Sequence, residues 1–181
     1  NKNNMTEIQA IMADCKKHRI KVLNPDVNES ESNFTVNKNG DIRFGMGGMK
    51  GFGANIVDAI VKERTEHGPF TDVYDFCVRM SGTVNRKAME SLVNAGAFDS
   101  FGIERGRYFA CGKSGLQFID DLMNYASVTK QNEEDDAASL FGDAAELKVE
   151  KPEPPMMTVE PDILEILQKE KEMVGMYLSD H

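Results

Sequence analysis

The chain has 181 residues, 40% hydrophobic and 28% charged, a composition that fits one packed domain carrying some unpacked chain. Its net charge of −9 argues against phosphate affinity spread over the whole surface, since such affinity comes from Lys and Arg releasing counterions. The charge is uneven, however: residues 38–115 carry 11 basic and 9 acidic side chains (+2), whereas residues 130–181 carry 5 and 14 (5 − 14 = −9).

Met5 to His18 places Met5, Ile8, Ile11, Met12 and Cys15 on one face of a helix, and Lys16 to Arg19 suit the negative end of its dipole. Ile20–Leu23 reads as a short β run stopped by Asn24-Pro25-Asp26. Asn33–Val36 and Ile42–Phe44 flank Asn37-Lys38-Asn39-Gly40, and Asn-Gly predicts a small hairpin.

Gly45-Met46-Gly47-Gly48-Met49-Lys50-Gly51-Phe52-Gly53 then feeds a helix from Ala54 to about Glu66. His67-Gly68-Pro69 ends that helix. Asp72 or Thr71 caps the next, to about Arg79. Asn85 caps another, to about Ala95, with Val84 stapled on Met89. The pattern is helical again from about Glu104 to Val128, weakened by Gly112 and Gly115. Residues 131–158 are acidic and proline-bearing and read as a linker. A last amphipathic helix runs from about Pro161 through Met173, with Ile163, Leu164, Ile166 and Leu167 as its apolar side, before a β-like end at 175–179.

Cys15, Cys77 and Cys111 form no CxxC, and the histidines lack ligand-like spacing, so no zinc-type centre is predicted. No apolar run reaches about 18 residues and no secretory signal opens the chain, which makes the cytoplasm the default location.

Two units of helix, tight turn and helix emerge: a short turn at 44–49, the corner at 50–53 and the helix from Ala54; then the helix at 72–79, the corner at 80–84 and the helix from Asn85. Main-chain amides at such helix N-termini suit phosphate. In the first corner Lys50 supplies charge and Phe52 a buried plug. Gly51 and Gly53 are expected at positive φ, open to a phosphodiester, so replacing Gly53 should hurt more than replacing Gly47. In the second, Arg86 and Lys87 sit at the positive end of their helix, a conflict of roughly 0.3–1 kcal/mol that a bound anion would reverse. The candidate DNA-binding residues are therefore Lys50, Gly51, Phe52, Gly53, Ala54, Thr83, Asn85, Arg86 and Lys87. A dinucleotide fold is disfavoured, because Gly45-x-Gly47-x-x-Lys50 lacks the third glycine and no βαβ unit surrounds it.

The runs Ile20–Ser30, Ile42–Gly47, Lys50–Gly53, Gly68-Pro69-Phe70, Tyr74–Cys77, Asn85-Arg86-Lys87 and Ala95–Asp99 closely resemble the bacterial replicative DNA polymerase III alpha subunit. The resemblance implies a mostly α excerpt with a small β-hairpin: the end of the fingers at 1–37, a tandem helix-hairpin-helix domain at 38–130, an acidic linker at 131–158, and at 159–181 a helix leading into a truncated OB domain. It implies that the catalytic, magnesium-holding carboxylates lie upstream, so that this fragment is not itself an enzyme although its parent is a DNA-directed DNA polymerase. Asp120-Asp121 and Asp135-Asp136 read as solvated surface, not as metal ligands. A monovalent cation in a hairpin is compatible with the motif class.

The family carries a short clamp-binding peptide after the tandem hairpins, and here Ser139, Leu140 and Phe141 fall at the matching place, with Ala137 where glutamine is usual. The implied partners are duplex DNA, the sliding clamp and other polymerase III subunits, with no membrane. The alternative is a scaffold that contacts other polymerase domains and no DNA.

Overall fold

The computed structural model describes residues 7, 9–13, 20–49, 52–138, 150–156 and 163–174. Residues 9–13 are helical, within the first predicted helix. The strands are β1 (Val22–Leu23), β2 (Thr35–Val36) and β3 (Ile42–Arg43), in the order β1-β3-β2. The predicted hairpin forms between β2 and β3, turning at Gly40 with φ 82°, but it is not alone: β1 joins β3 in parallel, pairing Val22 with Ile42. The 37/38 boundary drawn from the sequence passes between two paired strands.

Five helices follow: α1 (Ala54–His67), α2 (Val73–Arg79), α3 (Arg86–Ala95), α4 (Phe118–Ala138) and α5 (Ile163–Val174). Local chemistry explains most of their ends. Asp72 accepts from the Asp75 amide at 2.7 Å while Asp75 reaches back to the Thr71 amide at 3.1 Å, a reciprocal cap. Asn85 accepts from the Ala88 amide at 2.8 Å, and Gly96 closes α3 at φ 85° with its amide on Leu92 and Val93 carbonyls.

The continuous helix expected from Glu104 is broken. A 3₁₀ turn at Arg105–Tyr108 is followed by a bridge between Cys111 and Gln117, and Gly115 at φ 81° reverses the chain before α4 starts. At its other end α4 continues through residues 131–138, which the sequence assigned to linker. Glu133, Glu134 and Asp135 are exposed there, so no apolar stripe marks the helix; it propagates from a turn already packed on the core, where each added residue gains a hydrogen bond without a new nucleus. In α5, Leu167 is buried but Leu164 is 75% exposed, so Leu164 does not belong to the packed side expected of it.

The core is a run of aromatic contacts, Phe70 on Phe76, Phe76 on Phe98, Phe98 on Tyr108 and Tyr108 on Phe118, with ring centroids 4.8–6.0 Å apart. Val57 and Ile60 from α1, and Ala88, Met89 and Leu92 from α3, close it. The loop at 26–30 is locked onto this core by side chains that read as loop polarity in the sequence. Asn28 donates to the Phe70 carbonyl at 2.9 Å and accepts from its amide at 2.7 Å, while Arg64 of α1 donates to the carbonyls of Val27 and Ser30 at 2.9 and 2.6 Å.

Candidate nucleic-acid interface

The first corner precedes α1. Phe52 is 8% exposed and fills the underside of the turn, the plug role expected of it. Lys50 and Gly51 lie outside the described residues. Gly53 is the N-cap of α1 at φ −74° and ψ 149°, an extended conformation open to any residue, so the expected positive φ is absent. Nothing stands within 4 Å of where its Cβ would be. Gly47 is the constrained one: a Cβ there would lie 2.5 Å from Ser32 Oγ and 2.6 Å from the Ser32 carbonyl oxygen. The predicted ranking of the two glycines is therefore reversed, because close approach is set by a loop that comes from elsewhere in the chain.

No side chain caps α1 and no acid occupies its first turn. Gly53, Ala54 and Asn55 are exposed, and the Ala54 and Asn55 amides have no partner among the described residues. This corner offers main-chain donors at the positive end of a 14-residue helix with no Cβ in front of them.

The second corner joins α2 to α3. The Thr83 and Val84 amides both donate to the Met80 carbonyl, at 3.1 and 3.0 Å, which closes the turn and removes Thr83's amide from the donors the sequence nominated. Val84 and Met89 are buried in one cluster, as a hydrophobic staple requires. The residue that makes the turn is Gly82, at φ 86°, exposed and with open space at its Cβ position. The sequence placed a corner at 80–84 without singling out Gly82, although a glycine between two helices was the signal. The Arg86 and Lys87 amides have no partner among the described residues, while Asn85 spends its side chain on Ala88.

Arg86 departs furthest from expectation. Its Nε donates to Asp120 Oδ1 at 2.7 Å, Nη2 to Gln117 Oε1 at 2.6 Å, and Nη1 to Glu90 Oε1. The anion that resolves the conflict at the start of α3 is thus a carboxylate of the chain itself, and the hydrogen bond that Arg86 donates to Asp120 holds the guanidinium pKa above its ordinary value. Asp120 is accounted for by this pairing, and Asp121 by two 2.8 Å bonds from Ser114 Oγ. Lys87 is exposed and makes no ion pair among the described residues. Lys130 donates to the Ser81 carbonyl at 3.0 Å, beside the turn. The second corner therefore offers amides and one uncommitted cation, not a basic patch. Ser139, Leu140 and Phe141 lie outside the described residues, and Ala137 stands in the last turn of α4.

Among the described residues no helix is long and apolar enough to cross a membrane.

Comparison with known proteins finds sequences similar to this one. Residues 19–108 match the helix-hairpin-helix motif family. DNA polymerase III subunit alpha of Xylella fastidiosa is 30% identical over 184 residues, covering 99% of this chain and 14% of that protein. The subunit of Vibrio cholerae is 32% identical over 180 residues, 99% of this chain and 15% of its own length. That of Deinococcus radiodurans is 35% identical over 179 residues, 97% and 13%. The chain thus spans a small part of the relatives it matches, and the likeness to the bacterial DNA polymerase III alpha subunit read from the sequence stands along essentially its whole length.

Proposed function

We propose that this chain, as a relative of the DNA polymerase III alpha subunits, serves as the tandem helix-hairpin-helix module of such a polymerase and holds duplex DNA by its sugar-phosphate backbone without reading bases. The observation that carries this reading is the second hairpin: Gly82 at φ 86° turns the chain between two helices, exposed and unobstructed, and the open amides of Arg86 and Lys87 follow. The uncapped start of α1 supplies a second set of donors. Amides of this kind position a backbone and carry no sequence information. In the parent protein, magnesium-dependent nucleotidyl transfer belongs to carboxylates outside this chain, and the module keeps the enzyme on its template.

The test is fluorescence anisotropy with a labelled duplex over a series of salt concentrations. Affinity falls with log salt by about 0.9 per phosphate contacted, and Lys87→Glu lowers both the affinity and that slope, by about one contact. Unchanged affinity of Lys87→Glu at low salt would defeat the reading.

The acidic segment after α4 is the second half of the proposal: Leu140 and Phe141, with Ser139, enter an apolar pocket on the sliding clamp as a short extended peptide. Changing both to Ala abolishes capture of this chain on immobilised clamp, with DNA affinity retained. One observation favours a rival reading, a protein-interaction scaffold that binds no DNA, whose hairpins only pack against neighbouring polymerase domains while the linker peptide does the work: Arg86, at the start of α3, is neutralised by Asp120 and Glu90. Run side by side, the DNA titration and the clamp capture separate the two, since a scaffold loses neither DNA affinity with Lys87→Glu nor its fold.

A further inference from the structure

Residues 150–156, Glu-Lys-Pro-Glu-Pro-Pro-Met, have the composition of a solvated connector, yet they are seated on the helical module by their prolines. Pro152, Pro154 and Pro155 are half-buried while Glu150, Lys151, Glu153 and Met156 are exposed. Three carbonyls within four residues are taken by donors of the module: the Tyr74 hydroxyl donates to Pro152, Arg107 Nη2 to Pro154 at 2.9 Å, and Arg107 Nε to Pro155 at 2.9 Å. Lys151 Nζ lies 4.3 Å above the Tyr74 ring and 3.7 Å from Asp72 Oδ2. Pro155 Cγ comes within 3.5 Å of where a Cβ on Gly112 would stand, so it packs against bare backbone.

We propose that the face formed by α2, the turn at 105–108 and the loop before α4 is a binding groove for an extended, proline-rich strand, and that residues 151–155 fill it as an internal latch. The chemistry fits that class of occupant. Prolines donate no amide, so they join no β ladder, and their fixed φ lowers the entropy lost on docking. What remains for recognition is carbonyl oxygens, which call for side-chain donors, and ring faces, which call for an aromatic platform. Tyr74 supplies a hydroxyl and a ring, edge-on to Tyr125 at 5.9 Å, and Arg107 supplies two guanidinium donors. The latch lies over the aromatic core without entering it, so it opens at lower cost than the core unfolds.

A glutamate-specific protease, with mass spectrometry to read cleavage after Glu150, tests the groove without any clamp. Cleavage in the intact chain is slower than in a synthetic peptide of residues 146–156. Tyr74→Phe with Arg107→Gln removes the three hydrogen bonds and speeds cleavage at Glu150 by about tenfold or more, as expected from losing bonds each of modest net strength. Pro154→Gly with Pro155→Gly, which alters the latch and leaves the core untouched, speeds it likewise and guards against a folding defect in the first variant. The proposal is overturned if the intact chain is cut as fast as the peptide, or if the proline variant is cut no faster than the parent.

Discussion

Gly47→Ala and Gly53→Ser form a pair whose stabilities should diverge in the direction opposite to the one the glycine-rich run suggests. At position 47 the added carbon would sit 2.5 Å from a hydroxyl oxygen and 2.6 Å from a backbone carbonyl oxygen of Ser32. The hydroxyl can rotate away and the carbonyl cannot. Relief requires the 45–48 turn to lift off the 31–33 loop, which strains the bonds from Met46 N to Glu31 O at 2.8 Å and from Gly47 N to Ser32 O at 3.0 Å. Overpacking of this kind costs about 1–3 kcal/mol and the two weakened bonds about 1 each, giving a destabilisation on the order of 3–5 kcal/mol. Position 53 has ordinary N-cap angles and open space, so a serine hydroxyl there can cap α1 and add a few tenths of a kcal/mol over the glycine it replaces. Urea unfolding monitored by circular dichroism reads both. Gly53→Ser should then bind duplex more weakly despite being more stable, since its hydroxyl occupies an amide that phosphate would use. Stability of Gly47→Ala within about 0.5 kcal/mol of the parent, the range of an inconsequential surface change, would refute the steric reasoning.

Arg86→Ala and Asp120→Ala should each lower stability and be non-additive, with a coupling of about 0.5–1 kcal/mol, discounted for the partial exposure of both side chains; a double-mutant cycle giving no coupling would show the bridge to be idle. Cys77 is buried and its thiol pKa is pushed up to about 12 from an ordinary value near 9 by burial. Because the native state holds that proton more tightly, its contribution to stability is complete below about pH 9 and is lost as pH rises toward 12. Burial also raises the Tyr108 hydroxyl. Denaturant midpoints should therefore fall across this alkaline window, and Cys77→Ala should flatten the fall. At pH 8 a disulfide reagent should modify the exposed Cys111 quickly and Cys77 only on unfolding; equal rates at the two thiols would contradict the burial.

What could be read from the sequence divides by range. Asn85, Asp72 and the Val84–Met89 staple were legible because a cap or staple is written within about six residues of chain. Arg86 was misread because Gln117 and Asp120, which satisfy it, come from 31 and 34 residues away, and no local pattern announces them. Gly47 and Gly53 were ranked the wrong way round for the same reason: Ser32 decides the matter from 15 residues upstream. The helix through 131–138 was missed because exposure erased its apolar period, and the seated prolines because their composition is that of free chain.

The pair of hydrogen bonds between Asn28 and Phe70 spans 42 residues and is made by one side chain acting as a surrogate strand. A truncation that starts at Lys38 would therefore delete more than a neighbouring segment. It would bare both main-chain groups of Phe70, strip Arg64 of its carbonyl acceptors and leave Ile42 and Arg43 without either of their strand partners. Dissection experiments on this region should place their cut ahead of Ile20, since a shorter piece would report the collapse of its own scaffold and not the behaviour of the hairpins.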